Sequence, residues 1–152
     1  MTAGKALRPV FRAAHSLLKV AWFIRRPRTF GVHALPLTPD GRVVLVKLRF
    51  APGWRLPGGG RAAEEEPRDA VLRELREEIG LTSHGTVTAA CELEEQVDYK
   101  RDLVSLFIVR DVEYRPRWSW EVEEVTEADL HSLPGDLSPR MAGWLRALRP
   151  NL

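Results

Sequence analysis

The stretch from residue 58 to residue 81 constrains the fold more than any other part of the chain. It reads GGGRAAEEEPRDAVLRELREEIGL, in which a helical pattern runs from about Pro67 to Ile79. Pro67 suits the first position of a helix, and Gly80 suits the left-handed position after its last turn. Apolar residues alternate with acidic ones along this helix, so we expect it to dock through an apolar stripe formed by Ala70, Val71, Leu75 and Ile79.

Three carboxylates share one face of this helix. Glu74, Glu77 and Glu78 lie at i, i+3 and i+4, which places them within two turns on the same side. Each like-charged pair costs the helix roughly 0.2–0.5 kcal/mol. Clustered carboxylate oxygens on a rigid element suit Mg²⁺ or Mn²⁺, and the preceding glycines let the backbone approach a ligand closely. The pattern therefore indicates a metal site for a substrate that contains a diphosphate.

The same stretch resembles the signature of the Nudix hydrolases, the MutT-like family. That signature fixes a glycine, a glutamate after five residues, an Arg-Glu pair after seven more, and then an aliphatic residue, Glu-Glu, Gly and a second aliphatic residue. Its fixed positions are all matched here, by Gly59, Glu65, Arg73, Glu74, Leu75, Glu77, Glu78, Gly80 and Leu81. The resemblance implies an α/β fold of the α+β type, a Nudix-type α/β/α sandwich with a mixed β-sheet. It also implies that the protein hydrolyses a nucleoside diphosphate linked to another group, with water attacking phosphorus.

The resemblance further implies roles for individual residues. Glu74, Glu77 and Glu78 are expected to hold Mg²⁺ or Mn²⁺, with the Gly59 carbonyl as a further ligand. Arg73 is expected to orient a glutamate through an ion pair. A bound cation would neutralise charge, orient the substrate and activate a water molecule.

Two residues remain as candidates for the general base. Some family members use a glutamate of the signature, which makes Glu74 one candidate, and others use an acid on a later loop. The sequence WEVEEV at residues 120–125 resembles the stretch that carries this acid, which makes Glu121 the other candidate. The alternative for Glu121 is an exposed strand edge. Relatives often carry a Trp-Phe pair shortly afterwards, where this chain has Glu127 and Ala128.

Candidate substrate-binding residues are those whose chemistry suits a phosphate or a nucleobase. Arginine offers a planar fork for phosphate, and aromatic faces stack on bases. The candidates are Arg49, Trp54, Gly58, Gly59, Gly60 and Tyr99, with Phe50, Arg55, Arg61, Trp118 and Trp120 as further residues of these types. For each aromatic residue the alternative is a place in the core or in an interface. We expect a nucleotide or nucleotide-like diphosphate as the partner, and no nucleic acid polymer, because basic and acidic residues are interleaved along most of the chain.

Outside this helix the pattern predicts a mixed sheet with helices on both faces. Runs of β-branched and aromatic residues predict strands at 30–37, 42–49, 85–95 and 103–113. The first two are expected to form a hairpin through the turn at residues 38–41. Residues 118–126 have a less regular pattern, and Ser138 is the predicted cap of a final helix that ends at Leu148.

The first 28 residues are expected to form an N-terminal amphipathic helical extension to a Nudix domain at residues 29–152. Apolar residues recur at helical spacing with basic residues between them, which predicts a helix over about 9–25 that stops before Pro27. The favoured interpretation is that its apolar face packs on the domain or on a second subunit, as in a homodimer. Binding to an anionic membrane surface is the alternative.

Composition narrows the class of protein. A chain of 152 residues with 44% hydrophobic and 29% charged residues is typical of one globular domain and excludes wholesale disorder. The single cysteine excludes an intrachain disulfide, and the longest apolar run, residues 20–24, is too short to span a bilayer, so we expect a cytoplasmic protein. The alternative to an enzyme is a non-catalytic module that senses a nucleotide and regulates a partner. Such modules usually lose signature glutamates, whereas this chain keeps all of them.

Overall fold

The computed structural model describes residues 13–18 and 28–152. The chain forms two compact units. The larger contains residues 30–93 and 104–152, and the smaller includes, among the described residues, 13–18, 28–29 and 94–103. The glycine-rich turn and the acidic helix belong to the larger unit.

The described residues form a mixed α+β fold, which confirms the predicted fold class. Three sheets are present in them, with the strand orders β4-β1-β7-β6, β3-β2-β9 and β5-β8. The elements, in chain order, are β1 (Arg28–Pro36), β2 (Val43–Leu48), β3 (Trp54–Arg55), β4 (Gly58–Gly60), α1 (Pro67–Glu78), β5 (Leu81–Ser83), β6 (Val87–Val97), β7 (Lys100–Val109), β8 (Glu113–Tyr114), β9 (Val122–Ala128), α2 (Met141–Leu148) and a 3₁₀ turn (Arg149–Asn151).

The layered arrangement arises because β1 and β2 are buried on both faces. One face of these strands, which includes Val32 and Val46, belongs to the same apolar cluster as Leu75 of α1. The other face, which includes Leu45, belongs to a second cluster with Trp144 of α2. Burial of one such aliphatic side chain stabilises the fold by about 1.5–3 kcal/mol. The same two strands therefore hold both helices and fix the position of α1.

The turn predicted between the first two strands is present, but the prediction that these strands pair as a hairpin is wrong. The Gly41 N–H donates to the Thr38 carbonyl over 2.8 Å, and an antiparallel bridge joins Leu37 to Val43. The strands then enter different sheets: β1 lies between β4 and β7, and β2 lies between β3 and β9. Both edges of each strand are thus occupied by strands from elsewhere in the chain. A local turn pattern carries no information on such long-range pairing.

Three other boundaries differ from the prediction. The turn between β6 and β7 is formed by Asp98 and Tyr99, whose φ values of 47° and 65° are left-handed, and no glycine marks it. Ser138 does not cap α2, because that helix begins at Met141 and Arg140 holds its N-cap position without a side-chain hydrogen bond. The irregular residues 118–126 contribute to β9, which forms by antiparallel pairing with β2.

Only part of the predicted N-terminal helix is described. Residues 13–18 are helical, and Leu17 and Leu18 are exposed. The remainder of the predicted helix over 9–25, including its end at Pro27, lies outside the described residues. The division into an extension at 1–28 and a domain at 29–152 therefore stays a prediction. In the ranges that the structure describes, no helix is long and apolar enough to cross a membrane.

Candidate active site

A cleft of about 400 Å³ in the larger unit brings the acidic residues together. α1 contributes three of them, and the segment before β9 contributes a fourth, although more than forty residues separate the two in sequence. The glycines of β4 form another wall. The complete lining is Leu48, Phe50, Ala51, Gly58, Gly59, Gly60, Glu74, Glu77, Glu78 and Glu121.

The guanidinium of Arg73 organises one side of this cleft. Its Nε and Nη2 donate to the two carboxylate oxygens of Glu65 over 2.9 and 3.1 Å, a bidentate geometry that also lowers the pKa of Glu65. Nη1 donates to Glu74 Oε1 over 2.8 Å and lies 3.5 Å from Glu77 Oε1. Nη2 also donates to the Gly60 carbonyl over 3.1 Å. Arg73 therefore joins α1 to β4 and to the loop between them.

At two of the three glycines, neighbouring atoms lie too close to leave room for a side chain. A Cβ on Gly59 would lie 2.8 Å from the carboxylate atoms of Glu74. Gly58 has a φ of +152°, and a Cβ there would clash with the Val32 carbonyl oxygen of the paired strand β1. Side chains at these positions would displace either the helix acid or the strand pairing. The third glycine, Gly60, has only an ordinary contact at 3.9 Å.

Glu78 is a buried acid, with 5% of the residue exposed. Burial raises its pKa to about 8, and the negative charges of Glu74 and Glu121 act in the same direction. The Gly58 N–H donates to its Oε2 over 2.9 Å and Arg55 lies nearby, and both oppose this shift. Burial also raises the pKa of Glu74, against the effect of Arg73. In both carboxyl groups, nearby hydrogen bonds and positive charges do not offset the cost of burying the ionised form.

Glu121 is an exposed residue that lines the cleft, and hydrogen bonds hold its backbone in place. Its N–H donates to Ser119 Oγ over 3.1 Å, and its carbonyl accepts from the Arg49 N–H over 2.7 Å. The Arg49 guanidinium donates to the carbonyls of Ser119 and Trp120, each over 3.3 Å. Arg49 thus braces this segment and is not among the residues that line the cleft.

Other candidate substrate residues lie elsewhere. Trp54 is half-buried in β3, where Lys47 Nζ lies 5.5 Å from its ring centroid, and it does not line the cleft. Tyr99 belongs to the smaller unit, in the turn between β6 and β7. Sequence reasoning missed Leu48 and Ala51 as lining residues. Nothing chemical marks them, because they line the cleft only through their place at and after the end of β2.

One family model and several known proteins match this chain. The family model described as the NUDIX domain matches residues 27–148. The RNA pyrophosphohydrolase of Acidiphilium cryptum is 43% identical over 93 residues, which are 60% of this chain and 54% of that protein. The m7GpppN-mRNA hydrolase dcap-2 of Caenorhabditis elegans is 28% identical over 142 residues, which are 89% of this chain and 18% of that protein. The chain therefore spans about half, or less, of these two relatives.

Solved structures resemble the fold over most of the chain. A MutT NUDIX hydrolase from Burkholderia pseudomallei is 26% identical and has a TM-score of 0.66, with 80% of this chain and 96% of that one covered. A UDP-X diphosphatase is 21% identical with a TM-score of 0.63, and the match covers 81% of this chain and 61% of that one. Because the UDP-X diphosphatase is only 21% identical, its likeness to this chain shows the fold alone.

The first testable prediction concerns the buried charge of Glu78. The pKa of Glu78 is raised from 4.5 to about 8 in the folded protein. Between these pH values the folded chain binds a proton that the unfolded chain releases, so this group lowers the free energy of unfolding as the pH rises. We expect Glu78→Gln, measured in a chelating buffer, to match the wild type at pH 4 and to melt at least about 3 °C higher at pH 9.

Glu124→Gln is the matched control for this measurement, because Glu124 is an exposed glutamate of β9. Its melting temperature should track that of the wild type over the same pH range. A difference between Glu78→Gln and the wild type that is equal at pH 4 and pH 9 would contradict the prediction.

Proposed function

The chain belongs to the NUDIX domain family, and from this premise we propose that it is a divalent-metal-dependent pyrophosphohydrolase. Its substrate would be a nucleoside diphosphate linked to a further group, and water would attack phosphorus. One observation carries the proposal: four carboxylates and the backbone of three consecutive glycines line a single cleft. The name of the bacterial relative, RNA pyrophosphohydrolase, agrees with this class of reaction.

The side chains that line the cleft are of the chemical type that binds a divalent cation. Carboxylate oxygens are the ligands that Mg²⁺ and Mn²⁺ prefer, and a cation would offset the repulsion that raises the pKa values of Glu74 and Glu78. Among residues 13–18 and 28–152, no three acidic, histidine or cysteine side chains already converge on one point. Arg73 engages Glu74 and the Gly58 N–H engages Glu78, so these carboxylates would turn toward a cation from their present partners.

We assign the cation to Glu74, Glu77 and Glu78, with the Gly59 carbonyl as a further ligand. When bound, it would supply charge neutralisation for the diphosphate and activation of a water molecule. The acids would need to be ionised to serve as ligands, which the cation itself favours for Glu78. Arg73 is a positioning residue in this proposal, because it holds Glu74 and Glu65 and contacts β4 at Gly60.

Glu121 is the better candidate for the general base. Its carboxylate lines the cleft, and within the described ranges it makes no hydrogen bond or ion pair. Glu74, the other candidate, already accepts a hydrogen bond from Arg73 and is buried beside Gly59. A base must accept a proton from the attacking water, and an exposed carboxylate in the cleft is free to do so. Glu74 is then left as a ligand.

A substrate panel tests this proposal. It contains nucleoside triphosphates, ADP-ribose, a nucleotide sugar, a dinucleoside polyphosphate and a 5′-triphosphorylated RNA, each with Mg²⁺, with Mn²⁺ and with a chelator. We expect cation-dependent turnover of at least one class, and a loss of at least about a hundredfold in Glu78→Gln, because that change removes a charged ligand.

The matched control is again Glu124→Gln, for which turnover should stay within about twofold of the wild type. Near-normal turnover by Glu78→Gln at saturating Mg²⁺ would refute the ligand assignment. Tight binding of one compound without turnover of any would instead support the nucleotide-sensing module.

A glycine pair gives an independent prediction. Gly59→Ala should lower turnover by at least about tenfold, because its Cβ would meet the Glu74 carboxylate at 2.8 Å and displace a proposed ligand. Gly60→Ala should retain turnover within about threefold, since its nearest neighbour would be the Phe30 carbonyl oxygen at 3.9 Å. Circular dichroism and melting curves would verify that both variants fold. Equal losses in the two variants would show that the effect is not a displacement of Glu74.

A further inference from the structure

A short exposed segment next to the cleft alternates basic and aromatic residues. Residues 115–120 read RPRWSW and connect β8 to β9. Trp118 and Trp120 are 72% and 74% exposed, whereas tryptophan is on average a highly buried residue. Their rings touch edge to face, with centroids 4.8 Å apart and an interplanar angle of 74°. Neither residue therefore belongs to the core of this chain.

The segment is held at several points along its length. The Arg115 N–H donates to the Gly80 carbonyl over 2.9 Å. Ser119 Oγ accepts from the N–H groups of Glu121 and Val122, over 3.1 and 3.2 Å. The Arg49 guanidinium donates to the carbonyls of Ser119 and Trp120. The two exposed rings are thus mounted on a fixed backbone, which lowers the entropic cost of binding a partner.

The charge of the segment is positive. Arg115 and Arg117 are exposed, and in the part of the chain that the structure describes their guanidinium groups form neither a hydrogen bond nor an ion pair. Arginine suits phosphate oxygens, and tryptophan faces stack on bases without selecting a base. Interleaved basic and aromatic side chains are typical of surfaces that bind single-stranded nucleotide chains.

The segment continues directly into the cleft. Glu121, the next residue, lines the cleft, and so does Phe50, which is 84% exposed and follows Arg49. A diphosphate in the cleft would therefore have aromatic and basic side chains beside it. A compound with a single nucleotide would leave the second ring or the arginines without a partner.

We propose that residues Arg115–Trp120 form a subsite for a single-stranded nucleotide chain joined to the diphosphate, with bases on Trp118 and Trp120 and backbone phosphates at Arg115 and Arg117. The position of the diphosphate rests on the proposed function. This substrate class departs from the small molecule that composition led us to expect. The exposure of the two rings, the fixed backbone, the positive charge and the continuity with the cleft support it.

Binding of a defined RNA tests the proposal. The probe is a single-stranded pentaribonucleotide with a 5′-diphosphate and a 3′-fluorescein, measured by fluorescence anisotropy in Mg²⁺. Glu78→Gln serves as the background so that the probe is not consumed. We expect the Kd to rise about 10–100-fold when Trp118→Ala and Trp120→Ala are added together. The paired leucine substitutions should weaken binding similarly, whereas the paired phenylalanine substitutions should retain it within about threefold.

The arginines are tested by salt dependence in the same background. Arg115→Gln with Arg117→Gln should reduce the slope of log K against log salt concentration by about 0.7 for each arginine. Arg76→Gln is the matched control, because Arg76 is an exposed arginine on α1, and it should leave the slope unchanged.

Several results would overturn the proposal. One is a Kd that stays within twofold in the paired alanine variant. Another is an equal loss of affinity for ADP-ribose, which would assign the rings to a single base. A third is loss of a dimer in that variant with unchanged RNA binding, which would assign the rings to a subunit contact. The substrate panel separates the two proposals: tryptophan-dependent RNA binding without turnover would refute the enzyme and keep the subsite, and turnover with tryptophan-independent binding would do the reverse.

Discussion

The fork of hydrogen bonds from Arg73 is the interaction on which the arrangement of the site depends. One guanidinium contacts Glu65 in the loop, Glu74 on α1 and the Gly60 carbonyl of β4. A planar group with several fixed donors can join three segments in this way, and a lysine cannot. Without it, the Gly60 carbonyl would lose its hydrogen bond from the helix, and the Glu74 carboxylate would lose its cationic neighbour at 2.8 Å.

This connection requires that α1 already lies against the sheets, and the core provides that. β1 and β2 present one face to α1 and the other to α2. Leu75 is fully buried in the first of these clusters, one residue after Glu74. The stripe of apolar side chains therefore determines where the carboxylates lie. Catalysis as proposed needs this rigidity, because the three like charges on the helix repel one another and do not themselves hold the helix in place.

Burial of the acidic side chains in the cleft lowers the free energy of unfolding, and the apolar core stabilises the fold against this effect. Glu74 and Glu78 are both largely buried, and this burial raises the pKa values of both. Burial of an acid without a paired charge destabilises the folded state. Apolar burial on both faces of the central strands stabilises the fold against this cost. A divalent cation would convert this cost into affinity, which is a physical reason for placing acids in such a position.

The helix α1, the shared face of Glu74, Glu77 and Glu78, and the family resemblance could all be predicted from the chain's residues, because they depend on spacing within about twenty residues. The folded chain was needed to find that Glu121 reaches the same cleft, that β1 and β2 enter different sheets, and that Trp118 and Trp120 stay exposed. Helical periodicity is a local property, since residues three and four apart share a face. Strand pairing and side-chain exposure depend on partners far away in the chain, and a single sequence does not encode them in any local pattern.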